Sequence, residues 1–322
     1  MSIHNSMRSN NDSQAKRRFR AGFLFAAITA VVSVMALNMW NPPKAEARDS
    51  SPQTFYGPAK AVGAGGARSY ITMSDGLPVE IGFELEEDTL RALPAPDPQQ
   101  HHKMDAPHRE TAEYLLEHVD MTEYLLDLPE QAQATPFKFI ELDWNPAGHD
   151  PSGIYDKPHF DFHFYTITQA ERDAIDPSDP DFARKGKRLP KAELVPASYI
   201  TPSPVALVPR MGLHWVSIQS EELHGKPFTQ TFIHGSWNGR MIFFEPMITK
   251  AFLESKPDVT LPISSAKCYE PAGYYPTTYS IRYEESKRRY RVSLGGFEHR
   301  GCEATGTKVA EDEEPSASRK QP

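Results

Sequence analysis

A chain of 322 residues with 39% hydrophobic and 24% charged side chains has the composition of a globular protein and the length to bury a sizeable core. Its formal net charge of −8, with no basic stripe outside the N-terminal tail, excludes a nucleic-acid surface, because phosphate binding needs clustered Lys and Arg. There is no P-loop, dinucleotide fingerprint or Gly-x-Ser-x-Gly elbow, so the commonest nucleotide and serine-hydrolase chemistries are set aside.

Residues 1–20 are a polar tail that closes on the basic cluster KRRFR, Lys16 to Arg20. Residues 21–40, AGFLFAAITAVVSVMALNMW, carry no charged side chain. A run of roughly 20 apolar residues is enough to cross a bilayer. The small-x-small triplet at Ala45 to Ala47 is of the kind signal peptidase cleaves. The segment is therefore expected to be either a cleaved signal sequence or an uncleaved membrane anchor. With the basic residues held in the cytoplasm, everything after it is exported, giving a periplasmic or cell-surface location, secreted or anchored. Residues 41–54, rich in Pro, Ser and charge, read as a linker, 55–302 as the globular domain, and the polar residues 303–322 as a disordered tail. The two cysteines, Cys268 and Cys302, pair if the compartment is oxidising and otherwise are separate buried thiols.

Along the domain, ARSYITMSDGLPVEIGFELE reads as two strands around an Asp75-Gly76 turn. EEDTLRALP and HRETAEYLLEHVDMTEYLLDLP carry apolar residues at helical spacing, Leu115, Leu116 and Val119 among them, each run ended by proline. Phe137 to Trp144 is a predicted strand, Asn145 to Pro158 an ordered loop, and His159 to Ile167 a second strand. A helix follows, capped by Thr168 with Glu171 at capping-box spacing. Further strands are predicted at Val205 to Val208, Gly212 to Gln219, Phe228 to Ile233 and Met241 to Phe244, the last two separated by HGSWNGR with its Asn238-Gly239 turn. A final pair, Tyr279 to Tyr283 and Arg289 to Phe297, flanks EESK. Short strands, tight turns and segregated helices define an α+β class, predominantly antiparallel β, sandwich or barrel-like, with a few peripheral helices.

The chemistry concentrates in GHDPSGIYDKPHFDFHFY, Gly148 to Tyr165. On a strand, His159, Asp161 and His163 face one way and Phe160, Phe162 and Phe164 the other. The phenylalanines are core and the imidazoles are a site. His159 and His163 lie roughly 13 to 14 Å apart along the strand, long for a shared ion, so Asp161 with one histidine is the better pair. His149 in the loop and His214 in GLHWV supply the other ligands of an expected divalent metal site, zinc or iron by its mixed imidazole and carboxylate set. Asp161 or Tyr165 would then shuttle protons for a hydrolase or hydratase. The alternative is a buried hydrogen-bond network without metal. His234 is a weaker candidate; His101, His102 and His108 read as solvated; Glu245 and Arg240 read as strand-end polar residues.

The segments FYGPAKAVGAGGARSYITMSDGLPVEIGFEL, TPFKFIELDWNPAGHDPSGIYDKPHFDFHFY, GLHW and GRMIFFEPMIT resemble an exported bacterial domain family of unknown function with a structural prototype from Thermus. The resemblance covers most of Phe55 to about Leu253 and leaves both cysteines outside. It implies an extracytoplasmic, largely β domain, with homo-oligomers among its expected states and no established reaction. It carries over no catalytic residue. Two functions stand open: an exported metal-binding protein with His149, Asp161, His163 and His214 around one ion and His159 as an alternate, or a non-catalytic oligomeric binding or structural envelope protein. The only membrane contact expected is through an uncleaved N-terminal segment, and a small-molecule ligand is not specified.

Overall fold

The alternation of apolar and polar residues that marks each predicted strand resolves, in a computed structural model describing residues 51–97, 120–201 and 207–303, into two antiparallel sheets. Strand β1 (Gln53–Val62) pairs with β2 (Gly65–Ser74), which turns through Asp75 and Gly76, both at positive φ, into β3 (Leu77–Glu86). Positive φ at both central residues gives the turn the twist that antiparallel strands need, and Gly76 adopts it without a Cβ penalty. Next come β4 (Thr122–Asp127), β5 (Phe139–Asn145) and β6 (His159–Tyr165). Two short helices, α1 (Gln169–Asp173) and α2 (Phe182–Gly186), lead to β7 (Tyr199–Ile200), β8 (Leu207–Val208) and β9 (Gly212–Ser217). The long hairpin of β10 (Gln230–Trp237) and β11 (Arg240–Thr249) runs into α3 (Lys250–Glu254). The chain then forms β12 (Asp258–Pro262), β13 (Gly273–Tyr275), β14 (Thr278–Glu284), β15 (Arg289–Gly295) and β16 (Glu298–Arg300).

One sheet has the order β1-β2-β3-β15-β14-β12 and the other β4-β5-β6-β11-β10-β9-β7, with β8 on β9; β13 and β16 make a separate ribbon. Neither sheet closes on itself, so the sandwich, not the barrel, is the architecture. Both inner faces feed one apolar cluster: Ile81, Phe83 and Leu85 of β3 and Val292 and Leu294 of β15 meet Phe160, Phe162 and Phe164 of β6. Phe83 makes edge-to-face contacts with Phe162 and Phe164 at centroid distances of 5.1 and 5.3 Å. Each such ring withdrawn from water contributes about 2–3 kcal/mol. The phenylalanine face of β6 therefore anchors the sandwich, and its histidine face lies on the far side of the same sheet.

Three expectations change. Helical spacing across Thr122–Asp127 is overridden by pairing with β5 along its whole length. Tyr124 and Leu126 pack into the inter-sheet core while Leu125 packs into a second cluster behind the sheet. Covering both faces removes the polar alternation that would have marked a strand. Leu115, Leu116 and Val119 lie outside the described residues. The linker boundary also moves, because Gln53 and Thr54 are the first residues of β1, paired with Met73 and Thr72. Finally, HGSWNGR is not a connection: His234 to Trp237 completes β10, and only Asn238 and Gly239 turn.

Other local readings hold. Thr168 and Glu171 form a reciprocal capping box at the start of α1. Cys268 and Cys302 are joined by a disulfide. Among the described residues no helix is long and apolar enough to cross a membrane, and residues 21–40 lie outside them.

Candidate functional site

Strand register sets the site. Opposite β6, strand β5 presents Glu141, Asp143 and Asn145 against His163, Asp161 and His159. On its other flank β11 pairs Met247 with Asp161 and Phe243 with Tyr165, which puts Glu245 beside His163. A row of polar side chains thus runs across a sheet face that is buried throughout: Glu141, Asp143, Asn145, His159, Asp161, His163 and Glu245 are each at most 4% exposed. Burying so many ionisable groups is unfavourable unless each finds a partner. The partners divide into distinct groups.

The first group joins His149, His159 and Asp161. Gly148, at φ 77°, turns the loop back so that the His149 amide donates to the Tyr155 carbonyl at 3.2 Å. His149 Nδ1 lies 2.7 Å from the Asp150 carbonyl and His159 Nδ1 lies 2.6 Å from the Lys157 carbonyl. A carbonyl oxygen only accepts, so both Nδ1 atoms carry the proton and donate. In the neutral rings both Nε2 atoms are then lone-pair acceptors, and both aim at Asp161: His149 Nε2 at 3.5 Å from Oδ2, His159 Nε2 at 3.2 Å from Oδ1. Acceptor facing carboxylate is repulsive until a proton or a cation enters. Asn145 Nδ2 donates to Asp161 Oδ2 at 2.8 Å and fixes the carboxylate, while Tyr155 and Phe228 pack edge-on against the imidazoles. Burial raises the Asp161 carboxyl, but His159 and His149 outweigh it and hold it well below the usual carboxylate range. Burial lowers His149, yet its contact with Asp161 raises it overall. His149, 27% exposed, is the member that reaches solvent.

The second group joins His163, His214 and Glu245. His163 Nδ1 lies 3.0 Å from Asp143 and its Nε2 lies 3.3 Å from Glu245. His214 arrives from β9 opposite Gly235 of β10, where any Cβ would run into the Phe243 ring. Burial lifts the Asp143 carboxyl to about 6 and also raises Glu245; the two carboxylates in turn raise His163 well above the ordinary imidazole range, against its own burial.

Behind it Glu123, Glu141 and Asp143 also converge. Here the protein supplies the cations. Buried Arg172 donates to Glu123 and Glu141, and Arg210 donates to Glu123 at 2.6 Å. Glu193 lies near Cys268 and Cys302, but those sulfurs are bonded to each other.

The sequence-derived ligand set is therefore split: His149 and Asp161 stay together and take His159, while His163 and His214 belong with Glu245. Tyr165 does not reach Asp161. Its ring stacks between His163 and Phe139, its hydroxyl donates to the Arg210 carbonyl at 3.4 Å, and burial raises its ionisation far above the ordinary range. Asp161 lies between the His149 and His159 imidazoles, which hold its carboxyl low. His234 packs among Tyr199, Phe232 and Phe244 on the opposite face, and burial lowers it to about 3. Arg240 is exposed, near Glu171. His101, His102 and His108 lie outside the described residues. Asp143, Asn145, Glu141 and Arg172, which the sequence reading does not single out, join the buried face, and Glu245 belongs to it rather than to a strand end. The signal was present in ELDWN, which alternates Glu141, Asp143 and Asn145 with Leu142 and Trp144 just as HFDFHF alternates.

Fold and site together define an antiparallel β-sandwich with a buried histidine and carboxylate face. Over residues 74–144, from the end of β2 to Trp144, the chain matches the TTHB210-like family, described as hypothetical protein TTHB210. The match supports the resemblance to a family of unknown function along that stretch, which includes Glu141 and Asp143 and stops short of His149 and β6. No curated protein and no solved structure matches the chain.

Proposed function

We propose that this protein is an exported metal-binding β-sandwich protein in which His149, His159 and Asp161 hold one divalent ion of the zinc or iron class. The observation that carries the proposal is the pair of imidazoles whose Nδ1–H groups are committed to backbone carbonyls while both Nε2 atoms converge on one carboxylate. Metal-binding histidines characteristically donate their other nitrogen in this way, which fixes tautomer and ring orientation. The spacing agrees: ligand atoms about 2.1 Å from a tetrahedral ion lie about 3.4 Å from one another. His159 Nε2 lies 3.2 Å from Oδ1 and His149 Nε2 3.5 Å from Oδ2 of Asp161, each near that value on its own carboxylate oxygen, and one ligand atom from each of the three residues can be chosen so that all lie within 4.8 Å.

His159 and Asp161 are buried while His149 reaches solvent, so a tetrahedral ion held by these three residues would keep one position, on the His149 side, for water or substrate. The Cys268–Cys302 disulfide supports export, since such bonds persist in oxidising compartments.

The test is metal analysis of the untagged full chain after incubation with Zn²⁺ or Fe²⁺, beside a His149→Ala/His159→Ala double variant. The expected result is that the variant loses one equivalent of ion relative to the wild type. A wild-type protein that retains no divalent ion would overturn the proposal.

A further inference from the structure

We infer that His163, His214 and Glu245 form a second, separate site for a divalent cation of the zinc class, with Asp143 as the carboxylate that orients His163. The three ligand residues come from β6, β9 and β11, strands far apart in sequence, and offer ligand atoms within 4.8 Å of one another. His163 Nε2 and Glu245 Oε2 are 3.3 Å apart, close to the edge of about 3.4 Å expected between two ligands of a tetrahedral ion. Both atoms are buried, on side chains 1% and 2% exposed, and among the described residues neither is aligned with a hydrogen-bond partner. A buried pair left this way is costly, and a cation placed between them satisfies both at once.

The other ring nitrogen supplies the second argument. Asp143 Oδ2 stands 3.0 Å from His163 Nδ1, the pairing of the carboxylate–histidine arrangement that sets which nitrogen faces a metal, with the two atoms close but, like Nε2 and Oε2, not aligned as a hydrogen bond. The neighbouring acidic group of Glu123 and Glu141 already has Arg172 and Arg210, whereas no Lys or Arg pairs with Glu245 among the described residues' ion pairs. Asp161 and His163 are two residues apart on one strand, about 7 Å, so the two ions would sit side by side without sharing a ligand. The rival account is a protonated His163 bridging Asp143 and Glu245 with no ion present.

Cobalt(II) titration of the metal-free full chain, followed by visible absorption, separates these accounts. Two successive equivalents with distinct spectra are expected. His214→Ala and Glu245→Gln should each abolish one of them, and the His149→Ala/His159→Ala variant the other. No bound equivalent in the wild type, a single equivalent that survives in folded His214→Ala and Glu245→Gln proteins, or an undiminished second equivalent in either variant, would overturn the second site. The wild-type endpoint gives the number of ions, either of the two variants serves if the other fails to fold, and the variant pattern tells failure of this site from failure of the His149 site.

Discussion

The imidazole rings of His149 and His159 meet edge to face, 4.7 Å between centroids at 72°, although one comes from a proline-rich loop and the other from the first residue of a buried strand. This contact exists only because the loop folds back at Gly148.

Replacing Gly148 tests that loop directly. Its φ of 77° is strained for any residue with a Cβ, and the added atom would collide with the backbone of Tyr155, Asp156 and Lys157. Gly148→Ala should displace His149 and weaken ion binding by about 10- to 100-fold, the range seen when the support of a ligand is disturbed. A competition titration with a chromophoric chelator measures this.

The opposite face of β6 should separate stability from binding. Phe162 is fully buried against Phe83, so Phe162→Ala should cost about 3–5 kcal/mol in urea unfolding. Native variant protein at low temperature should still take up the ion, because Asp161 and His163 point the other way.

His234 should give the protein a measurable acid sensitivity. Burial holds it near 3 in the fold against an ordinary 6.5. Between those values the unfolded chain takes up a proton that the folded chain refuses, so stability falls as pH drops from about 6.5 toward 3 and is restored above it. The slope from this one group approaches about 1.4 kcal/mol per pH unit. His234→Phe should flatten the pH dependence of urea unfolding over that window by a comparable amount.

The disulfide closes a loop with a sequence separation of 34. It ties Cys268, whose amide donates to the Glu193 carbonyl, to the segment just after β16 of the β13–β16 ribbon. Removing it through Cys268→Ser/Cys302→Ser should lower stability by about 3–4 kcal/mol. Thermal unfolding of the variant and of the reduced wild type should agree, and ion uptake at His149 should survive in both.

Much of this arrangement was legible because β6 declares both faces in its residues: aromatic on one, ionisable on the other. The Asp75-Gly76 and Asn238-Gly239 turns and the Thr168 cap are equally local, and the structure keeps them. What could not be read is which strands neighbour β6. His163 and His159 look equivalent along the chain, and only the register with β5 and β11 gives one to Asp143 and Glu245 and leaves the other to His149. Glu245 looked like a strand end because the length of β11 is set by its partners on both sides. Thr122 to Asp127 looked helical because a strand covered on both faces shows no alternation. In each case the deciding information is long-range pairing, which a single sequence does not display.

The most direct test of the central claim is anomalous diffraction at the zinc edge from crystals of the full chain grown with Zn²⁺. The account predicts a peak about 2.0–2.2 Å from His149 Nε2, His159 Nε2 and an Asp161 oxygen. Peaks confined to exposed histidines such as His224, with none among these three residues, would contradict it.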